Sequence, residues 1–139
     1  MNAREVLKDR DGIVRSISPD DTVFDAIKAM DSFKVGALMV IDKSEKLVGI
    51  ISERDYTRKV VLKDRSSNTT KVSQIMTKKI AQVDPDAGIE KCMDIMGKHR
   101  VRHLPVVEKG KVVGVITPTD LLILTVKEKD NIIEQLERY

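Results

Sequence analysis

The fold is decided by a stretch that the chain carries twice: GALMVIDKSEKLVGIISERD at residues 36–55 and RHLPVVEKGKVVGVITPTD at residues 102–120. Each stretch has two short apolar runs around a polar turn, and each ends on Ser or Thr with Asp three positions later. Apolar runs of this length around a short turn predict a β-hairpin. Ser and Thr are favoured N-cap residues, so a helix is predicted directly after each hairpin.

The repeat extends upstream of both hairpins. Apolar residues at helical spacing follow a Pro-Asp pair in each copy, namely Val23, Ile27 and Met30 after Pro19-Asp20, and Ile89, Met93 and Met96 after Pro85-Asp86. This spacing predicts an amphipathic helix. Each copy therefore predicts the order β-α-β-β-α, and the fold class is α+β. Because one copy would leave an apolar sheet face uncovered, we expect the two to pack about a pseudo-twofold axis.

The pattern also predicts where the copies begin and end. The first copy spans residues 1–62, a polar stretch rich in Ser, Thr and Asn at residues 63–71 links the copies, and the second spans residues 72–126. Residues 127–139 carry Ile132, Ile133 and Leu136 at helical spacing. They predict a short amphipathic C-terminal helix that docks on this chain or on a partner.

Composition narrows the classes of function. The 139 residues are 41% hydrophobic and 34% charged, which excludes wholesale disorder. Aromatic residues make up only 3%, so stacking platforms for single-stranded nucleic acid are not expected. A net charge of +3 is too mild to indicate a nucleic-acid partner. No apolar stretch is long enough for a membrane span, and no signal peptide is recognisable, so a cytoplasmic location is expected.

Catalytic constellations are missing from the sequence. It contains no phosphate-binding loop, dinucleotide fingerprint, nucleophile elbow or zinc-protease motif. His99 and His103 lie near Cys92, but the chain should pass from helix to strand between the two histidines, which disfavours a zinc site. Cys92 lies on the apolar face of the predicted helix, as core residues do. An enzyme is not expected, and neither is a metal.

The ends of the hairpins are the better candidates for a site. Thr117 and Thr119 offer hydroxyls at a helix start, where backbone N–H groups attract anions such as phosphate. Asp120 can accept two hydroxyls of a ribose. Ser52 and Asp55 repeat this layout in the first copy. The alternative is that these residues only cap helices, but recurrence in both copies favours a ligand.

A basic turn supports an anionic ligand in the second copy. His99, Arg100, Arg102 and His103 precede its first hairpin strand, and Arg binds phosphate through a planar fork. If this stretch is extended, Arg100 and Arg102 point to one side and the histidines to the other. The alternative is a solvated basic turn. The first copy has only Lys34 in the aligned segment 33–37, so the two sites should be unequal, although Arg54 and Arg58 could compensate there.

Taken together, these motifs resemble a tandem of cystathionine-β-synthase (CBS) domains, the pair called a Bateman module. The resemblance covers residues 6–124 and is most specific in HRVRHLPVV (99–107), GVITPTD (114–120) and GIISERDY (49–56). ERDYTRKV and IIEQLERY also resemble a subgroup of small stand-alone CBS-pair proteins.

The resemblance implies binding of an adenosine nucleotide, such as AMP, ADP or ATP, or of NAD(H) or S-adenosylmethionine, in clefts between the repeats. It assigns ribose binding to Asp55 and Asp120, and phosphate binding to Ser52, Thr117, His99 and Arg100. The adenine would contact mostly backbone at Ile80, Ala81, Leu104 and Pro105. It also implies a homodimer formed through helices. The function expected is a regulatory ligand sensor that acts on another, unknown protein. A constitutive protein–protein adaptor and a nucleic-acid binder are the alternatives.

Overall fold

The computed structural model describes residues 1–8 and 14–137. These residues contain six α-helices, one π-helix and five strands. In chain order they are α1 (Ala3–Lys8), β1 (Ser16–Ile17), α2 (Val23–Phe33), β2 (Ala37–Ile41), β3 (Leu47–Ser52), α3 (Glu53–Tyr56), the π-helix (Thr57–Val61), α4 (Val72–Ile75), α5 (Ile89–His99), β4 (Leu104–Glu108), β5 (Lys111–Ile116) and α6 (Pro118–Glu137). The predicted helices and hairpins of both copies are present.

The first copy forms a three-stranded sheet in the order β1-β2-β3. β1 lies parallel to β2, with Ser16 opposite Met39, and α2 makes the crossover between them. β2 and β3 form the predicted antiparallel hairpin, in which Leu38 faces Ile51. Both side chains are fully buried and belong to the core of this sheet.

The second copy has a two-stranded sheet of β4 and β5. Lys109 and Gly110 in its turn have φ angles of 53° and 82°, the positive values that a tight hairpin turn requires. The first strand predicted for this copy is reduced to a single parallel bridge between Val83 and Val106. A similar turn follows the first strand in both copies: the side chains of Ser18 and Asp84 accept from the amides of Asp20 and Asp86, at 3.2 and 2.9 Å.

The compact units do not follow the boundaries of the sequence repeat. One unit contains residues 14–80 with 109–112, and the other contains α1 together with residues 81–108 and the chain from 113 onward. Helix α4 thus packs with the first copy, although it precedes the second copy in sequence. Likewise, α1 packs with the second copy, although it precedes the first.

Equivalent backbone hydrogen bonds hold α4 and α1 in their units. In one unit the amides of Val72 and Ser73 donate to the carbonyls of Asp21 and Pro19, at 2.8 and 3.0 Å. In the other unit the amides of Ala3 and Arg4 donate to the carbonyls of Ala87 and Pro85, at 2.8 and 2.9 Å. The first amides of a helix lack partners inside the helix. In α4 and in α1, two of these amides instead donate to carbonyls in the turn that precedes α2 or α5, respectively.

In each unit, a glycine in the second strand of the hairpin leaves room for the helical segment that packs there, α4 in one unit and α1 in the other. A Cβ on Gly49 would lie 2.7 Å from Sδ of Met76, and a Cβ on Gly114 would lie 2.5 Å from Cδ1 of Leu7. Real Cβ atoms do not approach other atoms this closely. The aligned glycines therefore mark where α4 and α1 cross the sheet in the two units.

The polar stretch 63–71 is an ordered part of its unit. The carbonyls of Ser67 and Thr70 accept from the first amides of α2, those of Phe24 and Val23, at 2.9 and 2.8 Å. Thr70 itself is buried, and its hydroxyl donates to the carbonyl of Ser66 at 2.7 Å.

The helices that follow the two hairpins differ. In the first copy, α3 has four residues and continues as the π-helix. In the second copy, α6 runs for 20 residues without a break. Residues 127–137 of the predicted C-terminal helix are helical, but they continue α6 rather than form a short helix of their own, and their side chains are exposed.

Candidate functional site

The first copy builds a reciprocal cap at the start of α3. The amide and the hydroxyl of Ser52 donate to Oδ2 of Asp55, at 3.0 and 3.1 Å. In return, the amide of Asp55 donates to the Ser52 hydroxyl at 3.2 Å. This arrangement is a capping box, in which an N-cap residue and the third residue of the helix satisfy each other.

The second oxygen of the Asp55 carboxylate is held by two further residues. The hydroxyl of Thr77 donates to Oδ1 at 3.1 Å, and Nζ of Lys59 lies 3.0 Å from the same atom. Lys59 also donates to the carbonyl of Ile75 at 2.9 Å. The Asp55 side chain is only 10% exposed. Ser52, Asp55, Lys59 and Thr77 together are called the Asp55 corner below.

The second copy repeats the cap at the start of α6. The amide and the hydroxyl of Thr117 donate to Oδ2 of Asp120, at 2.8 and 2.9 Å. The amide of Asp120 lies 3.4 Å from the Thr117 hydroxyl, so the return bond is longer than in the first copy. Asp120 is half-buried, and the residue four positions after it is Leu124.

Asp120 also lines a cavity of about 390 Å³ in its own unit. The walls come from Met1, α1 and α6 and include Val6 and Ile123, with Glu5 and Glu128 as further carboxylates. A cavity of this size can hold part of a small ligand. Three carboxylates and one lysine, Lys127, line it, which does not favour a phosphate, and none of the four predicted basic residues lines it.

Residues 99–103, the basic turn, do not have the extended backbone that was one expectation from the sequence. Helix α5 ends on His99, Arg100 takes a left-handed conformation with a φ of 52°, and β4 begins only at Leu104. The amide of Val101 donates back to Met96 at 3.1 Å, which closes the helix end. Alternation along a strand therefore does not apply to residues 99–103, and His99 belongs to the helix.

Three of the four basic residues face solvent, and one histidine does not. His99, Arg100 and Arg102 are exposed, whereas His103 is half-buried. Burial lowers the pKa of His103, and the charge of Arg102 lowers it further. His103 is therefore neutral at neutral pH, and the positive charge that an anion would meet comes from the two arginines.

The equivalent turn of the first copy has the same backbone and other side chains. Lys34 takes the left-handed conformation there, with a φ of 58°. Phe33 stands at the position of His99, and the guanidinium of Arg15 lies 4.3 Å from the centre of its ring. This cation–π contact joins the two residues that align with His99 and Ala81.

The remaining predicted site residues fall into two groups. Arg54, Arg58 and Thr119 are exposed at the starts of the helices after the hairpins. Leu104 and Pro105 are fully buried, so a ligand could meet only their backbone. Ile80 and Ala81 are half-buried and fall on opposite sides of the boundary between the two units.

A cysteine and possible metal ligands are the other candidate residues of the chain. Cys92 is fully buried, and burial raises the pKa of its thiol, so it belongs to the core. Within residues 1–8 and 14–137, no group of three or more His, Cys, Asp or Glu side chains is placed to hold a metal ion. None of the helices in those ranges is both long and apolar enough to cross a membrane.

Sequence reasoning missed two residues of the Asp55 corner. Lys59 lies four positions after Asp55, a spacing that brings side chains together on helices and was readable in the sequence. Thr77 lies 22 positions away in a segment that was assigned to the other copy. Nothing in one sequence signals that contact.

The chain belongs to the CBS-domain family, since the family model matches residues 5–62 and 72–127. It is 38% identical over 136 residues to the CBS domain-containing protein CBSX3, mitochondrial, of Arabidopsis thaliana; the match covers 95% of this chain and 66% of the relative. A crystal structure of a CBS-domain protein from Burkholderia ambifaria MC40-6, named provisionally for signal transduction, has 39% identity and a TM-score of 0.83 and covers 91% of this chain and 95% of that one.

A third relative is an enzyme, but only part of it matches. The inosine-5′-monophosphate dehydrogenase of Methanocaldococcus jannaschii is 37% identical over 118 residues, which are 84% of this chain and 22% of the enzyme. The match lies in the CBS part of that enzyme. The family and the α+β class expected from the sequence are confirmed. CBS pairs are regulatory modules, and CBS domains commonly bind adenosine ligands.

Proposed function

We propose that this chain is a regulatory module that senses an adenosine nucleotide of the AMP, ADP and ATP class, or the related ligands NAD(H) and S-adenosylmethionine. The observation that carries the proposal is the Thr117–Asp120 cap at the start of α6. It presents a half-buried carboxylate and a helix start on the motif that the family uses for ribose and phosphate. The exposed Arg100 and Arg102 in the same unit supply charge for the phosphates.

In this proposal the second copy holds the ligand more tightly. Asp120 accepts ribose hydroxyls, Thr117 and Thr119 lie towards the phosphate, and Arg100 binds it through its guanidinium. The backbone of Leu104 and Pro105 contacts the adenine. No catalytic step is assigned, so the output is a change in the chain's interaction with a protein that it regulates.

Isothermal titration calorimetry with AMP, ATP, NADH and S-adenosylmethionine tests the proposal. We expect at least one of these ligands to give heat of binding. Inorganic phosphate alone, which carries no adenosine, should give none. A constitutive adaptor would bind none of the four. The nucleic-acid alternative is tested with a DNA duplex at rising salt, because phosphate contacts weaken steeply as salt is added.

We also propose that the chain forms a homodimer. Helix α6 exposes a row of large apolar side chains at helical spacing: Leu122, Val126, Ile133 and Leu136 are 64%, 50%, 51% and 69% exposed. Apolar patches of this kind on a soluble chain usually mark an interface. Light scattering should give the mass of a dimer at micromolar concentration, and the mass of a monomer would contradict this proposal.

A further inference from the structure

We propose that the two chains of the homodimer pair crosswise: the outer face of α6 in one chain docks on the surface at the end of the π-helix in its partner. This pairing rests on the homodimer proposed above, because it names the surface of the partner that α6 meets. It does not involve the nucleotide.

The end of the π-helix presents apolar and basic side chains side by side. Val61 and Leu62 are 54% and 72% exposed, and no large apolar side chain within residues 1–8 and 14–137 is more exposed than Leu62. Arg58 lies four positions before Leu62, about one helical turn, so the two are neighbours on the surface. The amide of Arg65 donates to the carbonyl of Val60 at 3.0 Å, which holds Arg65 at the end of the helix. The following residues are called the basic patch below: Arg58, Val61, Leu62, Lys63 and Arg65.

The basic patch holds much of the positive charge of the chain. Residues 58–65 contain four basic side chains and one acidic side chain, Asp64, so their net charge of +3 equals that of all 139 residues. Lys59 is already paired with Asp55. The other three basic side chains form no ion pair with any residue that the structure describes. The patch therefore fits an occupant that is both acidic and apolar.

The second half of α6 has this combination. Residues 127–137 contain four acidic and two basic side chains. Exposed residues recur at intervals of four, three and four positions, which places them on one face of the helix: Val126, Asp130, Ile133 and Glu137. Val126 follows the buried Leu121 by five positions, about one and a half turns, so this face points away from the core of its own unit. Together with Glu134, which neighbours Asp130, these four residues are called the acidic strip below.

Of the pairings between these surfaces, only the crossed one brings opposite charges together. Two acidic strips that faced each other would place carboxylates against carboxylates, and two basic patches would do the same with cations. Across an interface, like charges oppose association, whereas opposite charges favour it. A closed two-fold dimer makes every contact twice, so both strips and both patches are covered. An acidic segment of another protein would also fit the patch, but it would leave the apolar residues of the strip uncovered.

Two charge-reversal variants test the pairing by light scattering at micromolar concentration. Lys63→Glu with Arg65→Glu reverses the patch, and Glu134→Lys with Glu137→Lys reverses the strip. Each variant alone should dimerise at least about tenfold more weakly than the wild type, because like charges then meet. An equal mixture of the two should dimerise like the wild type, because both contacts of a mixed dimer join opposite charges.

Lys78→Glu with Lys79→Glu is the matched control, since it makes a charge change of the same size at exposed lysines outside the patch and should dimerise like the wild type. A patch variant that dimerises like the wild type would overturn the crossed pairing. So would a mixture that dimerises as weakly as its components, or an equal loss in the control. These results would leave the homodimer standing, whereas a monomeric wild type would contradict the homodimer as well.

The wild type provides a second measurement if a variant does not fold. Salt screens exposed charges, so dimerisation should weaken about tenfold between about 0.05 and about 0.5 M sodium chloride. An interface of apolar contacts alone would not weaken in this way, and an unchanged or tighter dimer would overturn the crossed pairing.

Discussion

The two copies start the helix after their hairpin with the same reciprocal cap, and they differ four residues later. In the first copy Lys59 reaches back to Asp55, which is buried, whereas in the second copy Leu124 follows Asp120, which is half-buried and lines a cavity. The comparison teaches that a shared motif does not by itself make two equal sites. The same cap stands in different surroundings in the two copies.

The largest expected effect on stability separates the two aspartates. Asp55→Ala removes the partner of Ser52, Thr77 and Lys59 together, and we expect it to lower the free energy of unfolding by about 2 kcal/mol or more. Asp120→Ala removes a half-buried cap and should cost about 1 kcal/mol. Urea unfolding of both variants checks this. Equal losses would mean that the Asp55 corner contributes no more than a cap.

The next effect tests the basic turn against its counterpart. Arg100 and Lys34 both have positive φ angles that glycine adopts freely, so Arg100→Gly and Lys34→Gly should both fold. Arg100→Gly should weaken AMP binding about tenfold, because it removes a charged hydrogen bond, whereas Lys34→Gly should change it less than about twofold. Calorimetry decides between them. Similar losses in both would show that the guanidinium is not used.

The smallest effect is a pH dependence in the second copy. Burial and Arg102 lower the pKa of His103 below its ordinary value of about 6.5, so the unfolded chain takes up this proton more readily than the folded chain. Stability should therefore fall as the pH drops through about 6.5 towards the lower, folded pKa.

Removal of the imidazole tests this effect. Urea unfolding between pH 7.5 and 5 should show a weaker fall for His103→Gln than for the wild type, because glutamine takes up no proton in this range. If His103→Gln kept the full dependence on pH, another group would be responsible.

The local parts of this comparison could be predicted from the sequence. Apolar runs around short turns located both hairpins, and Ser52 and Thr117 with their aspartates located the caps. These features depend on neighbours within a few residues, which a single sequence displays. Family membership followed from the same motifs.

The long-range parts could not be predicted. Helices α1 and α4 look equivalent in sequence, and nothing in a repeat tells which copy each will pack against. Thr77 meets Asp55 only because α4 packs with the first copy. The first strand predicted for the second copy pairs only between Val83 and Val106, although a similar turn follows it in both copies.

The central claim is that the second copy holds the tight ligand site, and titration of AMP into Asp55→Ala and Asp120→Ala tests it most directly. Asp120→Ala should weaken the tight binding event ten- to about a hundredfold, since hydrogen bonds to a charged group contribute about 1.5–3 kcal/mol. Asp55→Ala should have the smaller effect on that event. If Asp55→Ala abolishes tight binding while folded Asp120→Ala binds AMP like the wild type, the claim is wrong.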